Sequence, residues 1–135
     1  MIDYRLGEIP ALAVARDLYA DCSLGARRPI ADDARFAAML ANANLTVTAW
    51  DCGQLVGMAR SLSDFVYATY LSDLAVRERY QRAGIGRELV RRTQLAAPQA
   101  KIVLLAAPAA VDYYPRVGFS HHPQAWLLDG DAPLR

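Results

Sequence analysis

The feature that most constrains the fold is the segment 71–87, which reads L-S-D-L-A-V-R-E-R-Y-Q-R-A-G-I-G-R. An apolar run gives way to charged residues and then to two glycines separated by one residue, and a helical pattern follows at once. The amides of such a loop and the first N–H groups of the helix point the same way, and the helix dipole favours an anion there. The segment therefore predicts a phosphate-binding loop between a strand and a helix.

The two glycines and the helix after them support this interpretation. Gly84 and Gly86 carry no side chain, so a bulky diphosphate can approach the backbone amides. The helix predicted over residues 84–97 repeats buriable side chains at a spacing of four: Ile85, Leu89 and Thr93. We expect this face to lie on a sheet and the helix start to point at the ligand.

Two common phosphate loops do not match this segment. The P-loop requires Gly-Lys-Ser/Thr, but Gly86 is followed by Arg87 and Glu88. The dinucleotide fingerprint requires a third glycine three residues after Gly86, where Leu89 stands. Neither a P-loop nor a dinucleotide-binding loop is therefore predicted.

The remaining pattern, Gln81-x-x-Gly84-x-Gly86 after a strand that ends at Val76, resembles the coenzyme A pyrophosphate loop of the GNAT-type N-acetyltransferase superfamily. A second segment, 113–119, reads Y-Y-P-R-V-G-F and resembles the aromatic-Tyr-x-x-x-Gly-Phe signature of the same family. The two matches lie in the expected order, and together they cover residues 71–119.

The resemblance implies acetyl-CoA as co-substrate and assigns its contacts to the backbone around the loop. In the family, the strand before the loop splays from its parallel neighbour, and its unpaired backbone groups bind the pantetheine arm as an added strand would. The implied pantetheine and acetyl contacts are Leu74, Ala75 and Val76. The implied diphosphate contacts are Gln81, Arg82, Ala83, Gly84, Ile85, Gly86 and Arg87.

The resemblance assigns Tyr114 the role of the acid that protonates the departing thiolate. A thiol has a pKa of about 8.5 and a phenol of about 10, so a positioned phenol can supply that proton. Tyr113 is expected to pack. Many family members have an asparagine where this chain has Ala107, so one polar contact to the coenzyme arm is absent or supplied elsewhere.

The general base is expected among the carboxylates near the proposed acetyl site. Asp73 is the first candidate because it precedes Leu74 on the strand, although it could instead pair with an arginine. Asp64 and Glu78 are nearby in the sequence. Direct attack of an amine on the thioester needs a base or a water chain but no metal, and no metal site is predicted.

The order of elements predicts an α/β fold. Strands are expected over residues 2–6, 45–50, 55–62, 65–76 and 102–105, from 119, and over 125–128. Helices are expected over residues 8–20, 32–42, 84–97 and 108–117, with Arg27 and Arg28 exposed between the first two. We expect a mixed GNAT-like sheet of six or seven strands, splayed between strands 4 and 5 and flanked by helices on both faces.

Composition limits the class of protein. The chain has 135 residues, 54% of them hydrophobic, and a formal net charge of +1, which indicates one globular domain over residues 1–135 and no nucleic-acid or membrane partner. Cys22 and Cys52 lack metal-ligand spacing and are expected to be idle thiols. No signal peptide is seen at the first residues, so a cytoplasmic location is expected.

The expected function is transfer of an acetyl group from acetyl-CoA to a primary amine of a small-molecule, peptide or protein acceptor, in a ternary complex. One alternative is a non-catalytic CoA-binding sensor or regulatory module. Another is an interaction domain in which the glycine turn is only a tight connection. A homodimer is also expected, because the apolar end strand around Trp126, Leu127 and Leu128 needs cover.

Overall fold

The structure is a computed structural model that describes residues 1–135, and the chain forms two compact units, Met1–Leu105 and Ala106–Arg135. The strands of the first unit are β1 (Asp3–Leu6), β2 (Leu45–Asp51), β3 (Gln54–Ser63), β4 (Ala68–Val76) and β5 (Lys101–Val103). Its helices are α1 (Leu12–Ala20), α2 (Asp33–Asn42) and α3 (Ile85–Ala96), and the second unit contains α4 (Tyr113–Arg116). Short 3-10 turns cover Ser23–Ala26, Glu78–Tyr80 and Pro108–Ala110. None of the helices is long and apolar enough to cross a membrane.

The first unit is built on one mixed sheet in the order β1-β2-β3-β4-β5. The first four strands form an antiparallel meander, and β5 lies parallel to β4 after the crossover through α3. This connection is the one expected for parallel neighbours, which need a crossover rather than a hairpin. The predicted mixed α/β architecture is confirmed, but the sheet has five strands rather than six or seven.

The helices α1 and α2 cover one face of the sheet. The buried cluster on this face contains Ala15, Leu18 and Tyr19 of α1, Phe36 and Leu40 of α2, and Leu55, Met58 and Ala75 of the sheet. The rings of Tyr19 and Phe36 meet edge to face, with 5.1 Å between their centroids. α2 starts as predicted, because the carboxylate of Asp32 accepts a hydrogen bond from the backbone N–H of Arg35 at 3.1 Å.

α3 covers the opposite face of the sheet, and it does so with the side of the helix that the sequence predicts to be buried. Ile85, Leu89 and Thr93 are all buried. Gly57 of β3 lies directly beneath them, and a Cβ atom placed there would be 3.0 Å from Leu89 Cδ1 and 3.2 Å from Ile85 Cγ2. The missing side chain therefore allows the helix to pack close to the sheet.

The pairing between β4 and β5 is short. It joins Ala68, Thr69 and Tyr70 to Lys101, Ile102 and Val103, whereas β4 continues to Val76. On this edge, the part of β4 after Tyr70 has no strand partner. The predicted opening between the fourth and fifth strands corresponds to this change in pairing.

Two elements of the first unit begin later than predicted. α1 begins at Leu12 rather than near Glu8, because Pro10 disfavours helical geometry at the residue before it. β4 begins at Ala68 rather than at Phe65. The carboxylate of Asp64 accepts hydrogen bonds from the N–H groups of residues 66, 67 and 68 at 2.8–3.0 Å, and this holds the chain in a turn.

The predictions for the second unit were wrong in three places. The helix expected over residues 108–117 is divided into a 3-10 turn and the short α4. Pro115 has no N–H to bond the carbonyl of Val111, so a continuous helix through both residues is disfavoured. Residues 119–128 form no strand, and Trp126 is 95% exposed. An apolar run becomes a strand only when a neighbouring strand pairs with it, and nothing in its own pattern supplies that neighbour.

We expect Gly57→Val to destabilise the first unit, because the added side chain would press against Ile85 and Leu89 and displace α3. Overpacking of this kind costs about 1–3 kcal/mol. Urea unfolding measures the change. Gly130→Val is the control, since a Cβ atom there meets nothing within 4 Å. Equal unfolding free energies for the two variants would contradict the close packing of α3 on β3.

Candidate active site

The unpartnered edge of β4 presents the backbone groups of alternate residues. The N–H of Arg77 bonds the carbonyl of Val56 in β3 at 2.9 Å, which directs the backbone of every second residue before it towards β3. Backbone groups of successive strand residues point to opposite edges, so those of Leu74 and Val76 face away from β3. An extended ligand could therefore pair with β4 at these two residues.

A β-bulge in the pairing of β4 with β3 lies just after Tyr70, the last residue of β4 that pairs with β5. The register with β3 shifts between Arg60↔Asp73 and Ser61↔Leu71, so Ser72 has no opposite residue. The Ser72 carbonyl instead accepts a hydrogen bond from Nη2 of Arg28 at 2.9 Å. Bulges bend a strand and increase its twist, which suits a strand that must diverge from its partner.

The loop after β4 ends in an uncapped helix N-terminus. Arg82 and Gly84 have φ angles of 64° and 85°, and Gly84 occupies the N-cap position of α3 without a side-chain hydrogen bond. The N–H of Glu88 bonds the carbonyl of Gly84 at 3.1 Å. The N–H groups of residues 85–87 come before this first helical bond, so they have no acceptor within the helix. An anion can take the place of the missing cap.

The side chains around this helix start add positive charge. Arg82 and Arg87 are exposed and make no ion pair in the structure. Glu88 is the acidic residue of the first turn, but hydrogen bonds from Arg91 and then Arg92 lower its pKa to about 2 and balance its charge. The helix start is therefore favourable for a diphosphate.

Gln81 supports the loop from within. Its side-chain amide donates to the carbonyl of Val76 at 3.0 Å, so the polar side chain predicted to face the ligand bonds the backbone of β4. Ala83 is exposed at the tip of the loop. The loop residues predicted from the sequence thus lie together, with Gln81 as a brace between strand and loop.

Two further side chains hold the loop in place and were not singled out from the sequence. Arg77 donates from Nε to the carbonyl of Leu55 at 2.7 Å and from Nη2 to Asp17 at 2.7 Å. The hydroxyl of Tyr80 donates to Asp51, the last residue of β2, at 2.6 Å. These partners are distant in the chain, so no local spacing could have indicated them.

Asp73, the predicted general base, lies in a buried charge cluster. Its side chain is fully buried and accepts from Nε of Arg28 at 2.6 Å, from Nε of Arg60 at 2.6 Å and from the hydroxyl of Tyr19 at 2.7 Å. Burial opposes ionisation, but the hydrogen bond and charge of Arg60, with the bonds from Tyr19 and Arg28, outweigh it and hold the pKa of Asp73 below its usual value. A carboxylate so placed is a poor proton acceptor.

Arg28 differs from the sequence-based expectation that it is exposed. The exposed fraction of its side chain is 21%, and its guanidinium joins the segment before α2 to both Asp73 and Ser72. The other carboxylate considered as a base, Asp64, is occupied with its turn, and hydrogen bonds from the backbone of Tyr67, Val66 and Ala68 lower its pKa. Glu78 is exposed in the loop.

In the second unit, Tyr114 belongs to a helix C-terminus of the Schellman type. Gly118 has a φ of 108°, and its N–H donates to the carbonyl of Pro115 at 3.2 Å. The N–H of Phe119 donates to the carbonyl of Tyr114 at 3.0 Å. The rings of Tyr114 and Phe119 pack edge to face at 5.4 Å. The Tyr-x-x-x-Gly-Phe spacing therefore places tyrosine and phenylalanine at the two positions that make the apolar contact of this motif. Burial, followed by the neighbouring Tyr113, raises the pKa of Tyr114, so its phenol is protonated at neutral pH.

The family model described as "Acetyltransferase (GNAT) domain" matches residues 25–128, which include both the loop and the tyrosine motif. The chain belongs to the GNAT acetyltransferase family. A probable acetyltransferase of Glycine max is 30% identical over 80% of this chain and 48% of its own length. The chain spans less than half the length of the curated relatives that it matches, which include plant acetyltransferases.

Solved structures share the fold of this GNAT domain. A GNAT-family acetyltransferase from Streptococcus pneumoniae superposes with a TM-score of 0.74 at 24% identity, covering 95% of this chain and 98% of the other. The aminoglycoside N-acetyltransferase AAC(6')-Iy in complex with CoA superposes with a TM-score of 0.73 at 15% identity, covering 98% of this chain and 96% of the other. At these identities, the similarity establishes the fold.

The structure contains no group of three or more His, Cys, Asp or Glu side chains arranged to hold a metal ion. His121 and His122 are both exposed, and Nδ1 of His122 accepts a hydrogen bond from the backbone of Gln124 at 3.1 Å. The candidate site of this GNAT domain consists of the uncapped start of α3 and the open edge of β4.

We expect Asp73→Asn to lower the unfolding free energy by about 3–5 kcal/mol at pH 7, because the buried guanidinium of Arg60 and the partly buried guanidinium of Arg28 would lose their counter-charge. The folded pKa of Asp73 is lowered, so its stabilisation is present above the unfolded pKa of about 3.9 and is lost as pH falls through the folded pKa. Urea unfolding between pH 3 and 7 should show a larger loss on acidification in the wild type than in the variant, in which Asp64 and Glu88 still contribute their own dependence. Asp131→Asn, at an exposed carboxylate, is the control. A pH dependence unchanged by Asp73→Asn would contradict the assigned role.

Proposed function

We propose that this GNAT domain transfers an acetyl group from acetyl-CoA to a primary amine of a small-molecule or peptide acceptor, by direct attack in a ternary complex. The observation that carries the proposal is the uncapped start of α3 directly after the open edge of β4. This arrangement offers a diphosphate site and an extended-chain site in one continuous segment. The fold shared with an aminoglycoside N-acetyltransferase in complex with CoA supports the choice of cofactor.

The backbone N–H groups of residues 85–87 hold the diphosphate in this proposal. Arg82 and Arg87 add exposed positive charge beside them. Hydrogen bonds to charged groups contribute about 1.5–3 kcal/mol each, so two or three amides supply much of the binding free energy. Gln81 contributes by fixing the loop against Val76 rather than by contacting the phosphates.

The pantetheine arm pairs with the open edge of β4, as a strand added to the sheet would. The backbone groups of Leu74 and Val76 face that edge, whereas the backbone groups of Ala75 face β3. The side chain of Ala75 packs in the core on the α1 side. Acetyl-CoA supplies an activated acetyl thioester and a thiol leaving group. The chain's task is to orient that thioester against the amine.

Proton transfer is assigned to Tyr114, whose phenol donates a proton to the departing sulfur. The raised pKa of Tyr114 keeps the proton on the phenol at neutral pH until the thiolate forms. Asp73 is committed to Arg28 and Arg60, so in this proposal it positions β4, and the proton that the amine loses on forming the amide passes to a water chain.

We expect Gly86→Val to abolish most acetyl-CoA binding, because its side chain would stand among the amides of the helix start. Acetyl-CoA at a hundred times its Kd should add about 2.7 kcal/mol of stability to the wild type and little to the variant. Calorimetry with acetyl-CoA and thermal unfolding without it measure the two effects. Gly130→Val serves as the matched control. Undiminished affinity in Gly86→Val would reject the diphosphate site.

We expect Tyr114→Phe to lower kcat by about a hundredfold, the size typical of a lost general acid, while the ring contact with Phe119 is kept. Thiol release from acetyl-CoA with a panel of amines measures the rate as a function of pH. Tyr113→Phe is the control, since the same hydroxyl is removed one position away. An unchanged rate at every pH would leave Tyr114 with packing alone. No thiol release with any amine, together with retained acetyl-CoA binding, would instead indicate a CoA-binding module without catalysis.

A further inference from the structure

The cluster around Asp73 carries more positive than negative charge. Arg28 and Arg60 both pair with the single carboxylate of Asp73, and neither forms another ion pair. The remaining partners of Arg60 are neutral, namely the carbonyl of Met39 at 3.1 Å and the hydroxyl of Ser72 at 2.9 Å. The cluster therefore has a net charge of +1 inside the domain.

Arg28 is the member of the cluster that reaches solvent. The exposed fraction of its side chain is 21%, compared with 8% for Arg60 and 0% for Asp73. Its guanidinium donates to Asp73, to the carbonyl of Arg27 at 2.9 Å and to the carbonyl of Ser72. A guanidinium has five N–H groups, so two remain for another acceptor.

Arg28 lies near the place where the acetyl end of the cofactor is expected. This step rests on the proposed function. With the diphosphate at the start of α3, the arm runs back along β4 from Val76 towards Leu74. Ser72 lies about 13 Å back along the strand from Val76, at four residues of about 3.3 Å each. The acetyl end therefore points towards the bulge, where Arg28 holds the Ser72 carbonyl.

The geometry points to an acceptor that carries a carboxylate near its reactive amine, recognised by the guanidinium of Arg28. A carboxylate there would balance the net charge of the cluster and use the N–H groups that Arg28 leaves free. An acceptor with a second positive charge at this place would be repelled. Arg28 is then a specificity-determining residue, and Asp73 positions it.

The test compares acceptors that differ only in this charge. Amino carboxylic acids and their carboxamides, with chains of increasing length between amine and carboxyl, are compared by thiol release from acetyl-CoA. Rates are expressed per neutral amine, so that differences in the protonated fraction do not enter, and the Arg28 variants control for differences in intrinsic nucleophilicity. For at least one chain length, the wild type should prefer the acid by roughly tenfold to a hundredfold in kcat/KM. Equal values for acid and amide at every length would overturn the inference and leave the proposed function intact.

Arg28 variants assign the preference to this residue. Arg28→Gln should reduce the acid-to-amide ratio to near one while the carboxamides are still acetylated, and Arg28→Lys should retain part of the preference. Asp73 keeps Arg60 and Tyr19 in these variants, so the fold is expected to persist. Arg27→Gln is the matched control, because Arg27 is exposed and its side chain has no partner in the structure. A preference that survives Arg28→Gln would also overturn the inference. No thiol release with any amine would reject the proposed function itself.

Discussion

The carboxylate of Asp73 is the interaction on which the arrangement of the candidate site depends. It joins α1 through Tyr19, the segment before α2 through Arg28, and β3 through Arg60, all at 2.6–2.7 Å. A buried ion pair of this kind gives little net stability compared with apolar packing, whereas removal of one partner is costly. Its role in this domain is best understood as one of position, because it brings three separate segments to the same point of β4.

That point is also where β4 changes neighbours. The bulge at Ser72 leaves a carbonyl that β3 cannot use, and Arg28 provides its partner. Beyond the bulge, β4 is paired on the β3 side only, and the loop after Val76 leads directly into α3. The backbone groups that lack a strand partner at the edge of β4 and a helix partner at the start of α3 therefore belong to one continuous stretch of chain. In most proteins such groups would be paired or capped, and here they form the candidate ligand site.

Several elements could be predicted from the sequence because their signals are local. The α3 face of Ile85, Leu89 and Thr93 follows from a spacing of four, and the start of α2 follows from the capping carboxylate of Asp32. The meander follows from alternation and turn residues. Two other predictions were wrong for different reasons. The helix expected over residues 108–117 is divided at residues 111–112 for a local reason, since Pro115 has no N–H for the carbonyl of Val111. The apolar run 125–128 forms no strand because a strand depends on a neighbour that pairs with it.

For the candidate site, the sequence alone determined the glycine loop, the helix that follows it and the tyrosine motif. Each depends on backbone conformation and hydrogen bonds among residues a few positions apart. Only the tertiary structure decided what Asp73 does. Its partners Tyr19 and Arg28 lie far from it in the chain, 54 and 45 residues away. Whether a carboxylate is a base or a structural anchor depends on burial and on the charges around it. The fold brings those charges together, and their spacing along the chain does not predict that they meet.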